Sequence, residues 1–260
     1  MKLRLRFATG LLLAAMIPAG AAAEQSTGPF AFNGKLSFNL AAGADVHVST
    51  INGDVHVERG AGSTFTARYE KSGSGDLNAV RVLAQHTANG GVEICVRYDS
   101  ASDCHADSNN ANSNDTRVDI TVAVPAGTHV DVGTVNGKIE ARADGLVTAR
   151  SVNGRVDIDA ADVDEVETVN GAIDIRLHDA RSRHALRVKT VNGAIALHVP
   201  AASGLNVHAS VLNGNITIDG LTAKRPEYGP GASADGRLGD GRREVELKAL
   251  NGNIGLERAS

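Results

Sequence analysis

Thr168-Val169-Asn170-Gly171-Ala172-Ile173-Asp174-Ile175 is one of seven copies of a short pattern. The others centre on Asn52-Gly53, Asn136-Gly137, Asn153-Gly154, Asn192-Gly193, Asn213-Gly214 and Asn251-Gly252. In every copy Val, Ile or Leu precedes the Asn, and Val or Ile stands three places after it. The positions four before and five after the Asn are also apolar, with mostly polar residues between. Apolar-polar alternation on both sides of Asn-Gly reads as two short strands meeting at a corner, so the fold class is all-β. Repetition of this kind marks a repeat architecture.

Two arrangements accommodate the corner. Asn-Gly between alternating strands is a strong hairpin signal through a type I′ turn. That pairing puts Thr168 opposite Ile173 but leaves Val169 on the other side, although its position is apolar in every copy. The second arrangement is a β-solenoid, in which each copy is one coil and equivalent residues stack. Successive asparagines from Asn136 to Asn213 lie 17, 17, 22 and 21 residues apart, a length suited to a small coil. A stacked Asn column can hydrogen-bond along the axis. The position three before Asn runs Arg150, Glu167, Lys189, alternating in sign as stacked neighbours should. The solenoid is therefore preferred, with Asn170 between Asn153 and Asn192 and with Gly171 expected at positive φ, which glycine tolerates.

Residues 1–23 have the form of a secretory signal: basic Lys2, Arg4 and Arg6, an apolar run over 7–17, and Ala21-Ala22-Ala23 as a cleavage site. The run is too short for a permanent span, and no transmembrane anchor is expected once it is removed. Cleavage before Glu24 takes the formal charge from −4 to −7. A mildly acidic chain argues against nucleic acid and anionic membranes as partners. With five Phe, three Tyr and no Trp, the core has to be aliphatic.

The expected organisation is an N-terminal β region over 24–127 and repeats over 128–260, the two forming one continuous domain. A long mobile loop over 222–243 is expected ahead of the final coil. Between Asn52 and Asn136 the repeat is absent, which suggests a different, antiparallel packing. Cys95 and Cys104 are the only cysteines, and an even count in an exported chain favours a disulfide. The segment 99–115 carries Asp103, His105, Asp107 and Asp115, but lacks the Gly and Glu of a calcium loop. It reads as a solvated loop.

Thr134-Val135-Asn136-Gly137-Lys138-Ile139 and its copies resemble the bacterial "putative adhesin" family of β-strand repeat proteins. The closing segment Leu238-Gly239-Asp240-Gly241 with 245–256, and the Val-Pro-x-Gly step within 122–127, are similar too. The resemblance spans residues 30–256. It implies a β-solenoid and an exported, envelope-associated protein, and it supplies no catalytic residues.

No HxH, HExxH, G-x-S-x-G or Walker pattern occurs. Glu140, Asp157 and Asp174 each lie four places after their Asn and would stack as an acidic column. Lys138 and Arg155 are placed to neutralise it, which favours a solvated network over a cation site or a glycosidase carboxylate pair. No cofactor or metal is expected. The sequence thus points to a non-enzymatic binding or adhesin-like scaffold, periplasmic or at the cell surface, contacting an envelope protein or polymer. A polysaccharide-active β-helix enzyme and a purely structural spacer are the alternatives.

Overall fold

The computed structural model describes residues 33–41, 43–99, 103–105 and 114–259. The signal-like segment 1–23 and Asp107 of the polar loop lie outside them. The described chain is all-β, an open sheet of 18 strands. In chain order these are β1 (Asn33–Asn39), β2 (Asp45–Asn52), β3 (Val55–Arg59), β4 (Thr64–Ser72), β5 (Arg81–His86) and β6 (Val92–Arg97). There follow β7 (Arg117–Val124), β8 (His129–Asn136), β9 (Ile139–Asn153), β10 (Val156–Asn170), β11 (Ile173–Leu177) and β12 (Leu186–Asn192). The last six are β13 (Ile195–Pro200), β14 (Leu205–Asn213), β15 (Ile216–Ile218), β16 (Ala232–Leu238), β17 (Arg243–Asn251) and β18 (Ile254–Ala259).

The strands that run into each Asn pair in parallel and in register, in the order β2, β8, β9, β10, β12, β17, β14. Those that leave each Gly do the same in the order β3, β9, β10, β11, β13, β18, β15. The long strands β9 and β10 belong to both columns. The alternating residues Val130, Val132, Ile139, Ala141, Val156, Ile158, Val166, Ile173 and Ile175 are buried and join a single apolar cluster, so the core lies between the two columns. This is the burial that the period-two pattern prescribes.

The Asn-Gly steps are not hairpin turns. A type I′ turn needs positive φ at both central residues, and no non-glycine residue among those described has it. Nor does Gly171 sit at positive φ; among the seven corner glycines only Gly53 and Gly252 do. The reason for glycine is close approach: a Cβ on Gly171 would lie 1.9 Å from the Gly154 carbonyl oxygen. Corresponding distances of 1.7–1.9 Å hold at Gly137, Gly154, Gly193, Gly214 and Gly252.

Stack order departs from chain order at the C-terminus. The Asn251 copy is not the last rung. It lies between those of Asn192 and Asn213, with β17 paired to β12 on one side and β14 on the other. The segment 222–243 is likewise not a simple loop. It holds β16, which runs antiparallel along β14 from Ala232 opposite Val211 to Leu238 opposite Leu205. Alternating Ala232, Ala234 and Leu238 bury one face of it. Upstream, the region between Asn52 and Asn136 is mixed: β4 is antiparallel to β1 and β7, and β5 to β6, but β6 is parallel to β2 and β7 to β3. Cys95 of β6 is disulfide-bonded to Cys104, with Cα atoms 5.7 Å apart.

Candidate functional site: a groove beside the asparagine ladder

Register puts the seven asparagines in one line. Asn136 Nδ2 donates to Asn52 Oδ1, Asn153 to Asn136, Asn170 to Asn153, Asn192 to Asn170, Asn251 to Asn192 and Asn213 to Asn251, all at 2.8–2.9 Å. Each of the five inner amides thus donates to one neighbour and accepts from the other, while Asn52 ends the line as an acceptor and Asn213 as a donor. The corner backbone follows: the Gly171 N–H donates to Asn192 O and the Gly193 N–H to Asn251 O, both at 2.9 Å. Two places before the Asn, the buried hydroxyls of Thr134, Ser151, Thr168 and Thr190 donate to the carbonyls of Gly53, Gly137, Gly154 and Gly171 at 3.0–3.3 Å. Polar groups on the inside of the corner are thereby satisfied, as burial requires.

The residue just before the Asn points outward. Val135, Val152, Val169, Val191, Leu250 and Leu212 are each 38–43 % exposed, and they make up six of the seven exposed large apolar side chains among the described residues. The seventh is Tyr228. Single exposed apolar residues need no explanation, but a contiguous row does. Two places further from the corner, on the same outward face, stand Arg150, Glu167, Lys189 and Lys248.

A groove of about 1080 Å³ runs along this face. It is lined on one side by Val152, Val169, Val191, Leu250 and Leu212, its floor, and on the other by Lys224, Arg225, Pro226, Pro230 and Gly231, its wall. The wall is fixed by Lys224 and Ser233, which exchange backbone hydrogen bonds of 2.7 and 2.9 Å. Arg225 also anchors it, donating to Asn215 Oδ1 at 2.7 Å. Five cations line the groove (Arg150, Lys189, Lys224, Arg225 and Lys248) against one carboxylate, Glu167. Lys189 bonds Glu167 at 2.8 Å, which holds its pKa above the usual lysine range. Arg150 is bonded to Glu165 and Asp131 rather than to Glu167, so the expected sign alternation holds only in part. The next neighbour of Lys189 in register is Lys248, of like charge, whose bond to Glu246 lowers that carboxylate's pKa.

The acidic column is a charge network on the strands that follow the glycines. Glu140 accepts from Lys138 at 2.8 Å and faces His56 at 3.0 Å. The Lys138 hydrogen bond holds its carboxyl below the usual range. Arg155 bridges Asp157 at 2.7 Å and Asp174 at 3.3 Å. Among the described residues no group of three or more His, Cys, Asp and Glu is placed to hold a metal ion. No helix among them is long and apolar enough to cross a membrane.

The groove was not read from the sequence. Its floor had a signal: Val169 shares strand parity with outward Glu167, yet its position is apolar in every copy. Its wall had none, because the contact of residues 224–231 with the corner depends on β16 folding back along β14.

No family model matches the chain, and no curated protein matches it. It is similar to solved structures with adhesion names. A "putative cell adhesion protein" from Clostridium sporogenes is 12 % identical, with a TM-score of 0.45, over 87 % of this chain and 100 % of that one. A "putative adhesin" from Bacteroides fragilis is 10 % identical, with a TM-score of 0.38, over 86 % and 97 %. A third, from Parabacteroides distasonis, is 11 % identical, with a TM-score of 0.26, over 86 % and 97 %.

Proposed function

We propose that this chain is an exported, non-enzymatic binding scaffold of the bacterial envelope, adhesin-like in presenting a rigid face, and that its repeats form a β-solenoid. The seven-membered Asn ladder and the in-register parallel pairing support the solenoid reading. Export is supported by the Cys95–Cys104 disulfide, a bond of oxidising compartments. Periplasm and cell surface are both open to such a chain.

The observation that carries the binding reading is the exposed Val/Leu row. A structural spacer has no use for six aligned apolar side chains in water. A groove that buries part of its ligand does. The charge network at Glu140, Asp157 and Asp174 favours a solvated surface over catalysis, because each carboxylate is bonded to a fixed cation.

The test is co-sedimentation of residues 24–260 with envelope fragments. Val169→Thr/Val191→Thr keeps side-chain volume and β-branching while making the floor polar. We expect the parent chain to sediment with the fragments and the double variant to remain in solution. Equal sedimentation of the two would remove the groove as the binding face.

A further inference from the structure

We infer that the groove holds one anionic acyl lipid, its chain along the Val/Leu floor and its headgroup at Lys224 and Arg225. This rests on the groove being the binding face, and adds the chemistry of the occupant.

Three ligand classes can run along such a groove, and each needs something different from it. An extended peptide is held mainly by main-chain hydrogen bonds. The floor offers none, because the backbone of its strands is already committed to neighbours on both sides, Thr168 and Thr190 in register and Thr190 and Ala249 in register. A glycan needs polar partners for its hydroxyls and, commonly, aromatic faces to stack on. No aromatic residue lines the groove, and Ser151, Thr168 and Thr190 donate their hydroxyls to Gly carbonyls, so its polar lining is mainly cationic and suits an anion better than neutral hydroxyls. An acyl chain needs only contiguous apolar surface, and the floor supplies it.

Dimensions agree. From Val152 to Leu212 the floor crosses four inter-rung steps of about 4.8 Å each, or about 19 Å. That is the length of an extended chain of about 15 carbons, with C–C bonds of about 1.5 Å. Charge sets the direction. Among the described residues Lys224 and Arg225 make no ion pair, whereas Arg150, Lys189 and Lys248 each have a carboxylate partner. Arg225 is bonded to the neutral acceptors Gly214 O and Asn215 Oδ1, so the two cations without a carboxylate partner among the described residues sit at the Asn213 rung. The anion therefore binds at the Leu212 end and the chain runs toward Val152.

The test uses cis-parinaric acid, a fluorescent C18 fatty acid, titrated into residues 24–260. We expect a saturable fluorescence rise with one site per chain. Val169→Thr/Val191→Thr should weaken binding about tenfold. Lys224→Glu, which keeps the backbone bonds to Ser233 and the Arg225 anchor, should weaken the acid several-fold but leave its methyl ester unchanged. Circular dichroism of each variant checks the fold, which exposed positions leave intact. Absence of saturable binding by the parent chain overturns the inference, as does affinity equal in all variants. Equal binding of parent chain and Val169→Thr/Val191→Thr to phosphatidylglycerol vesicles, without parinarate binding, means a membrane surface and overturns it too. Co-sedimentation that is lost in the Val169→Thr/Val191→Thr variant but survives delipidation of the fragments keeps the binding face and refutes the lipid.

Discussion

At the scale of single residues, the corner glycines and asparagines do different jobs. The Asn side chains, exposed in every copy but that of half-buried Asn52, tie rungs together, whereas the glycines let the backbone of one rung rest on the next. Gly171→Ala would put a Cβ 1.9 Å from the Gly154 carbonyl oxygen. Backbone cannot yield as a flexible side chain can, so a destabilisation of about 2–3 kcal/mol is expected, at the upper end for overpacking. Gly133 in β8 is the control. It has no positive φ, and a Cβ there meets nothing within 4 Å, so Gly133→Ala should be neutral or slightly stabilising. Urea denaturation of the two variants checks the contrast, and a near-neutral Gly171→Ala would mean that the rungs are less tightly stacked. Sequence showed that Gly was required but suggested the wrong cause. Positive φ and close approach leave the same mark on a single sequence, and only the position of the neighbouring carbonyl separates them.

At the scale of elements, neighbouring rungs are clipped together by ion pairs on their outer faces. Arg59 at the end of β3 reaches Asp144 in β9 at 2.7 Å and Asp159 in β10 at 2.6 Å, and His178 Nε2 donates to Asp159 at 2.9 Å. Partial burial pushes the Asp159 carboxyl up, but the hydrogen bonds from Arg59 and His178 outweigh it and hold the pKa below the usual range. A carboxyl more acidic when folded than unfolded stabilises the fold fully above its unfolded pKa, and that contribution is lost as pH falls through the folded value. Glu140 and Glu246 act in the same direction. Asp159→Asn should therefore lower stability at neutral pH, by a margin that shrinks as pH falls below the ordinary carboxylate range toward the depressed folded pKa. Thermal unfolding between about pH 7 and pH 3, across the carboxylate range, checks this; a constant gap between parent and variant would exclude Asp159 as a proton-linked clip. A different device ties β10 to a later rung. Arg243, buried at the start of β17, bonds Asp162 at 2.8 Å and donates to Val163 O at 2.5 Å. Asp162 also accepts from Ser182 at 2.6 Å and lies 2.6 Å from His184 Nδ1. Strand positions within each copy were legible because the apolar period is two. These long-range pairs were not, since they depend on which copies become neighbours.

At the scale of the whole molecule, the order of the rungs is the feature least visible in the chain. Every copy presents the same Asn, the same apolar positions and the same corner, so any copy could in principle stack on any other. What decides the order is the connection. After β15 the chain returns antiparallel as β16 along the outer edge of β14, then places β17 and β18 between the Asn192 and Asn213 copies. The Asn213 rung therefore rests on a strand made later than itself. In an ordinary stack, removing the last copy exposes only the copy before it, because each unit contacts its immediate neighbours. Here, ending the chain at residue 241 removes an inner rung. It strips β14 of its parallel partner, takes the acceptor from the Asn213 side chain at 2.8 Å and removes the Arg243 bond to Asp162. It also removes Lys248 and Leu250 from the groove. The expected outcome is that amides of β14 and β16 lose their protection from hydrogen exchange in the truncated chain, while β9 and β10, with neighbours on both sides intact, keep theirs. Cysteines at Asn192 and Asn213, in a background lacking Cys95 and Cys104, report the one competing outcome. If β14 slid into the vacated place beside β12, these two would crosslink in the truncated chain and not in the full one. Such a crosslink, together with retained protection of β14, would show that the repeats choose neighbours by likeness alone and that the return through β16 does not fix their order.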